Sequence, residues 1–349
     1  MVSAYIQQEA PRSEETKMHT DTRTRFGRLG DALTVLLVTV LLVTAASRFP
    51  AAAAETKPRT FPTPEEAASA LAAACKSADS KAIFEVLGSS AKPIITSGDP
   101  VADRETREHF VEKYEESNSL AKSGDATAVL QIGKDNWPFP IPLVKTDGGW
   151  RFDVDAGKEE ILNRRIGRNE HDAIEVCLAY VDAQREYYLR NPDGDKLLHY
   201  AQKGASTAGK RDGLYWETKE GEEPSPFGPL FADAQTRGYA PAQKGASGKR
   251  QPYYGYYYRL LTAQGPDAAG GAYDYLVRGK MIGGFGLVAY PAKYGNSGVM
   301  TFIVNHDGVV FQKDLGPKTA ATAQAMKAFN PDASWTRVED PGQGGTVAR

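Results

Sequence analysis

Apolar side chains early in the chain recur at helical spacing. Ala67, Ala70, Leu71, Ala74, Cys75 and Ala78 repeat every three or four positions behind Thr63-Pro64-Glu65-Glu66, a capping box with proline at the first helical position. A second helix is predicted to open at Asp79 or Ser80, run through Ile83, Phe84 and Leu87, and stop at Gly88. Asp99-Pro100 starts a third, with Phe110, Val111 and Tyr114 along one side. The pattern then turns to strands over 126–132, 137–144 and 150–154. Within 137–144, Trp137, Phe139, Ile141 and Leu143 share one face and alternate with Pro138, Pro140 and Pro142. The missing N–H groups of the prolines would all face one flank, so this is an edge strand or an extended border segment. Thr146-Asp147-Gly148-Gly149 is turn chemistry, and Trp150, Phe152 and Val154 present another apolar face.

The second half repeats the order of helix then sheet. Residues 159–190 read as helix with a break near Gly167, carrying Ile174, Cys177, Leu178, Val181 and Tyr188 on one stripe. Asn191-Pro192-Asp193-Gly194 ends it, and a loop-rich region extends to Pro252. Strands follow over 253–262, 273–277, 286–290, 299–305 and 309–313. The class is therefore α+β. The expected organisation is a leader over 1–54, a helix-then-sheet domain over 55–165, a long helix with an antiparallel sheet over 166–340, and a disordered tail over 341–349. Trp137, Phe139, Trp150 and Phe152 are expected in the first core. Ile174, Leu178, Val181, Phe302 and Val304, or their strand neighbours, are expected in the second.

The leader defines the compartment. Arg23, Arg25 and Arg28 precede an uncharged run from Ala32 to Ala46, and Ala51-Ala52-Ala53-Ala54 follows before Glu55. Basic stretch, apolar core and small-residue site are the three parts of a secretory signal peptide, which predicts a periplasmic or secreted protein. The apolar run is shorter than the roughly twenty residues of a bilayer-spanning helix. An uncleaved anchor is the alternative, and the only membrane contact expected. Met18 would give a tidier leader than Met1, and no cysteine near the cleavage site invites acylation.

Beyond the leader, 36 Lys and Arg stand against 39 Asp and Glu, a near balance that argues against nucleic acid as partner. Four scattered histidines remain, His109, His171, His199 and His306, with no close pair, so neither a metal nor any other cofactor is expected. Cys75 and Cys177 lie on apolar helix faces, where a buried thiol is the simplest reading; export would permit a disulfide between them.

Several segments together resemble one bacterial family. They are GKRDGLYW (209–216), PSPFGPL (224–230), YYGYYYRLLTAQG (253–265) and the long run from Gly270 to Gly316 that contains GGFGLVAYPAKYGNSGVMTFIVNHDGVVFQKDLG. The chain, from about Phe61 to Asp340, is similar to the family of exported proteins catalogued as domain of unknown function 2950. That resemblance implies an exported protein of Gram-negative bacteria and carries over no catalytic or ligand residues. More loosely, the first half is similar to the cone-shaped NTF2-like arrangement and the second to the globular heads of type II secretion pseudopilins. It lacks the hydrophobic assembly helix directly before such a head.

Candidate chemistry is sparse. Tyr253, Tyr254, Tyr256, Tyr257 and Tyr258 crowd one strand. In a regular strand Tyr254, Tyr256 and Tyr258 share a face, and as candidate ligand-binding residues they could stack on sugar or peptide. Sheet packing is the competing explanation. Gly295-Asn296-Ser297-Gly298 superficially resembles the surroundings of a protease nucleophile but reads as a turn; Asn191 to Asp195 offers calcium-like oxygens but reads as a helix-ending turn. No catalytic residues are assigned. Two functions remain: a non-catalytic binding or scaffolding protein of the cell envelope, with envelope polysaccharide or another envelope protein as partner, and a hydrolase of envelope polymer whose carboxylate pair is assembled only by folding. Non-catalytic binding is the preferred expectation.

Overall fold

A computed structural model describes residues 56–239 and 251–339; the predicted leader over 1–54 and tail over 341–349 lie outside them. Helix α1 (Pro64–Lys76) begins where Thr63 Oγ1 accepts the Glu66 N–H at 3.2 Å, and α2 (Ser80–Leu87) begins where Asp79 Oδ1 accepts the Lys81 N–H at 2.8 Å. Such caps contribute about 1 kcal/mol each. Gly88, at φ 82°, stops α2 as predicted. A short α3 (Lys92–Ile95) leads to α4 (Pro100–Glu116), capped by Asp99.

The first sheet has the order β1 (Asn118–Ser123), β2 (Thr127–Ile132), β4 (Leu143–Thr146) and β5 (Gly149–Phe152), all antiparallel, with β3 (Trp137–Pro138) also paired to β2. Strand β1 escaped the sequence reading because almost all its side chains are exposed, which removes the alternation that marks a half-buried strand. The proline segment is not one strand. It pairs only at its two ends, and between them Ile141 is fully buried while Trp137 is 40% exposed, with the Arg164 guanidinium over its ring. Trp137 is thus a correction to the expected core. Phe61, Leu71, Ile83, Leu87, Ile141, Leu143, Trp150 and Phe152 belong to the cluster that α1 and α2 form against the sheet.

Helix α5 (Val154–Arg190) runs 37 residues without the break expected near Gly167. Glycine costs a helix roughly 1 kcal/mol relative to alanine, too little to interrupt one held on both sides. Arg165, just before it, donates to the Pro93 carbonyl and to Asn296 Oδ1, each at 2.8 Å. Just after it, Asn169 Nδ2 donates to the Ser297 carbonyl and Glu170 Oε1 accepts the Val299 and Met300 N–H groups. Near its start, a Cβ on Gly157 would lie 2.4 Å from the Pro140 carbonyl oxygen, so only glycine lets α5 approach the proline segment this closely. No described helix is long and apolar enough to cross a membrane.

The stripe on the second half of α5 is Ala173, Val176, Cys177, Tyr180, Val181, Gln184 and Tyr187. Leu178, expected in the core, is 37% exposed, and Tyr187 rather than Tyr188 is buried. Gln184 satisfies a loop as a strand would: its Oε1 accepts the Ala201 N–H and its Nε2 donates to the Ala201 carbonyl, both at 2.8 Å. Helix α6 (Gly228–Thr236), opened by Pro229, was not foreseen inside the loop-rich stretch.

The second sheet is built on β6 (Tyr256–Leu261). Small pairings follow: β7 (Ala263–Gln264) with β8 (Tyr273–Asp274), and β9 (Leu276–Val277) with β10 (Lys280–Met281). Then come β11 (Gly286–Pro291), β12 (Met300–Asn305) and β13 (Phe311–Asp314), helix α7 (Thr319–Ala325), β14 (Ala328–Phe329), which pairs β7, and β15 (Thr336–Arg337). The main order is β15-β13-β12-β11-β6, antiparallel throughout. Tyr256, Tyr258, Leu287, Phe302 and Val304 pack with the α5 stripe. Leu261, Val288, Tyr290 and Ile303 belong to a separate cluster with Ala323 of α7 and Phe329. Every residue of β11 is consequently buried. The architecture is α+β: among the described residues, two five-stranded sheets with one helix running past both, and a two-stranded and a three-stranded pairing beside the second.

Candidate functional site

Helices α1 to α4, the proline segment and the first turns of α5 line a cavity of about 110 Å³ that is open on one side. Leu71, Ile83, Leu87, Ile94, Ile141 and Ile161 supply apolar walls, joined by Phe110 and Phe139. The helical spacing on α1 and α2 turns Leu71, Cys75, Ile83 and Leu87 inward, and the proline segment, held to β2 by the Phe139 N–H on the Leu130 carbonyl at 2.7 Å, brings Phe139 and Ile141 to close one side. Polar groups stand among these walls: Cys75, Asp103, Thr106, Arg107 and Arg165.

The polar groups differ in how fully they are engaged. Both Asp103 oxygens accept the Ser97 N–H, at 3.0 and 3.1 Å. Arg165 donates to the Pro93 and Ile94 carbonyls and to Asn296 Oδ1, which ties the cavity wall to the turn before β12. Burial lowers its guanidinium from the ordinary arginine value while Asp103 opposes that shift. Burial pushes the Cys75 thiol up to about 11, with Arg107 pulling the other way, so the thiol is neutral and unreactive near pH 7. Arg107 makes no hydrogen bond or ion pair among the described residues. The site offers an apolar recess with one uncommitted cation.

The tyrosine strand is placed differently from the sequence expectation. Tyr253 and Tyr256 exchange backbone hydrogen bonds at 2.9 and 3.1 Å around a two-residue turn in which Tyr254 has φ 50° and Gly255 φ 71°. Tyr254 therefore precedes the strand and does not share a face with Tyr256 and Tyr258. Both of those rings are fully buried: the Tyr256 hydroxyl donates to the Met300 carbonyl at 2.9 Å, and Tyr258 lies in the α5 core. Neither can line an accessible groove, because the α5 stripe occupies the face they project from. Tyr254 is half-buried and donates its hydroxyl to Asp233 Oδ2 at 2.9 Å.

Tyr254 belongs instead to a polar junction between the halves of the chain. Asp233 Oδ2 also accepts from the Tyr253 hydroxyl at 3.2 Å and from Arg237 Nε at 3.1 Å, and the Arg237 guanidinium covers the Tyr254 ring. Asp99, 1% exposed, caps α4 through Oδ1, and its Oδ2 accepts the Tyr239 hydroxyl at 2.9 Å and the Gly255 N–H at 3.0 Å. Burial raises the Asp99 carboxyl above its ordinary value, against the pull of those hydrogen bonds. Four donors fill the lone pairs of this carboxylate and leave none for a reacting group. Sequence reasoning missed the junction because its members come from three distant segments, around 99, 233–239 and 253–255; only the helix-capping Asp99-Pro100 was visible.

The remaining motifs have local explanations. Ser297 is fully buried, and its hydroxyl accepts the Lys293 N–H at 2.9 Å, so it is no exposed nucleophile. Asn191, at φ 45°, terminates α5. Ligand atoms of Asp193, Asp195 and His199 lie within 4.8 Å of one another; the first two belong to the turn read as offering calcium-like oxygens, and His199 was not joined to them. His199 Nε2 pairs with Asp193 at 2.9 Å, and the Lys280 ammonium contacts Asp195 and lies 3.4 Å from His199 Nε2, so a lysine already supplies positive charge there. Cys75 and Cys177 are free and belong to different clusters.

Residues 58–338 match the family described as Protein of unknown function (DUF2950), and the chain belongs to that family. No curated protein and no solved structure matches it, and the NTF2-like and pseudopilin-head likenesses of the two halves are not confirmed.

Proposed function

We propose that this is an exported protein that works outside the cytoplasm as a non-catalytic binding protein, taking an apolar group of an envelope constituent into the cavity between α1–α4 and α5. The observation that carries this reading is the cavity itself, walled by apolar side chains from six segments of the chain. A well-formed apolar recess with a few polar groups is the ordinary form of a small-molecule site. The export part rests on the order of basic, apolar and small residues before Glu55. Support for binding over catalysis comes from the neutral Cys75 thiol and from the saturation of the buried Asp99 carboxylate.

Titration with octanol, an uncharged alkyl probe, tests the cavity. Calorimetry should show saturable binding to the wild-type protein and its loss in Ile161→Phe, where the ring fills the recess. Equal binding by the two proteins would reject the cavity as the site.

A further inference from the structure

We infer that the cavity takes an anionic amphiphile, an alkyl carboxylate whose chain end fills the recess and whose carboxylate pairs with Arg107. This deepens the binding reading above and rests on it.

The charges on the cavity wall are unbalanced. Arg107 and Arg165 bring two positive charges and Asp103 one negative, leaving a surplus of one. Arg165 is not the free one, because its guanidinium is spent on two backbone carbonyls and Asn296. Asp103 directs both oxygens at the Ser97 N–H. Arg107 is half-buried and, among the described residues, has no acceptor. Cys75 does not serve as its counter-ion, since burial keeps the thiol protonated. A partly desolvated guanidinium beside an apolar wall is unfavourable until an acceptor arrives. A carboxylate supplies two parallel acceptors in the geometry that guanidinium prefers.

Size selects the apolar part. The cavity holds about 110 Å³, less than the roughly 150 Å³ of an engineered apolar cavity that admits benzene. That space suits the end of an alkyl chain and is too small for a sterol, and the rest of the chain leaves past the polar groups. An alcohol would fill the same space and leave Arg107 without a charged acceptor. An alkylammonium would bring a second cation against it.

The test compares octanoate, octanol and octylammonium by calorimetry at low ionic strength, against wild type, Arg107→Gln and Arg107→Lys, with urea unfolding confirming that each variant is folded. Wild type should bind octanoate roughly tenfold or more tighter than octanol, as a charge-assisted pair implies, and octylammonium weakest. Arg107→Gln should lower octanoate to the affinity of octanol, and Arg107→Lys should keep part of the preference. Equal affinity of wild type for octanoate and octanol, or a preference that survives Arg107→Gln, overturns the inference and leaves the cavity reading intact. Binding of none of the three probes refutes both.

Discussion

Replacing Asp99 with alanine should be among the most damaging single changes in this chain. Three losses contribute. Helix α4 loses its cap, the acceptor for the Val101 and Ala102 N–H groups, worth about 1 kcal/mol. The Tyr239 hydroxyl and the Gly255 N–H each lose a buried acceptor, at about 1–3 kcal/mol apiece. The expected destabilisation is about 3–7 kcal/mol, a large part of the 5–15 kcal/mol that typically holds a protein folded. Asp99→Asn should cost about half as much, because its amide oxygen can still cap α4 while its NH2 meets two donors. Urea unfolding followed by intrinsic fluorescence reads both values. A midpoint for Asp99→Ala that corresponds to less than 1 kcal/mol would show that the junction does not join the two halves energetically. The pH dependence adds a check of sign. Burial raises the Asp99 carboxyl in the folded state, so the native protein holds this proton more tightly than the unfolded chain does. Its contribution is fully present below the unfolded value and is lost as pH rises through the folded one. The stability of wild type relative to Asp99→Asn should therefore fall upward from about pH 4; a rise over that window would contradict the assigned direction.

Tyr258→Ser should destabilise the protein by about 3–5 kcal/mol, as deletion of a buried ring does; an unchanged melting temperature with altered ligand binding would restore the aromatic-face hypothesis. Gly157→Ala places a Cβ 2.4 Å from the Pro140 carbonyl oxygen, and thermal unfolding should show a loss of about 1–3 kcal/mol from the forced shift; a neutral result would mean that α5 and the proline segment separate freely. The exported form should begin within a few residues of Glu55, and mass spectrometry that finds the Leu33 to Val43 segment intact would favour an anchor instead.

The parts of this fold that were legible in the sequence are those fixed locally. Thr63, Asp79, Asp99 and Gly88 announce helix boundaries through hydrogen bonds within a few residues, and all four act as read. The buried runs 286–291 and 300–305 are apolar enough to be strands in any setting. What failed depends on the third dimension. Gly167 breaks no helix because Arg165 and Glu170 clamp the turns around it to segments some 70 to 130 residues away. Leu178 and Tyr188 misled because the α5 stripe shifts to Tyr180, Gln184 and Tyr187, and the inward Gln184 is polar, an identity periodicity cannot favour. The tyrosine faces were misassigned by a turn at Tyr254-Gly255 that resets the alternation. The cavity was legible only in part: Leu71 and Cys75 were read on the apolar face of α1 and Ile83 and Leu87 were placed in α2, but only the fold brings Arg107 and Ile161 beside them.

Isoleucine methyl NMR gives the most direct test of a cavity that takes an alkyl carboxylate. Ile83, Ile94, Ile95, Ile141 and Ile161 line it, whereas Ile303 lies in a separate cluster beside α7. Titration with octanoate should shift the five cavity methyls together along one saturation curve and leave Ile303 unmoved. Five unmoved cavity methyls at saturating octanoate, or shifts centred on Ile303, would contradict the account.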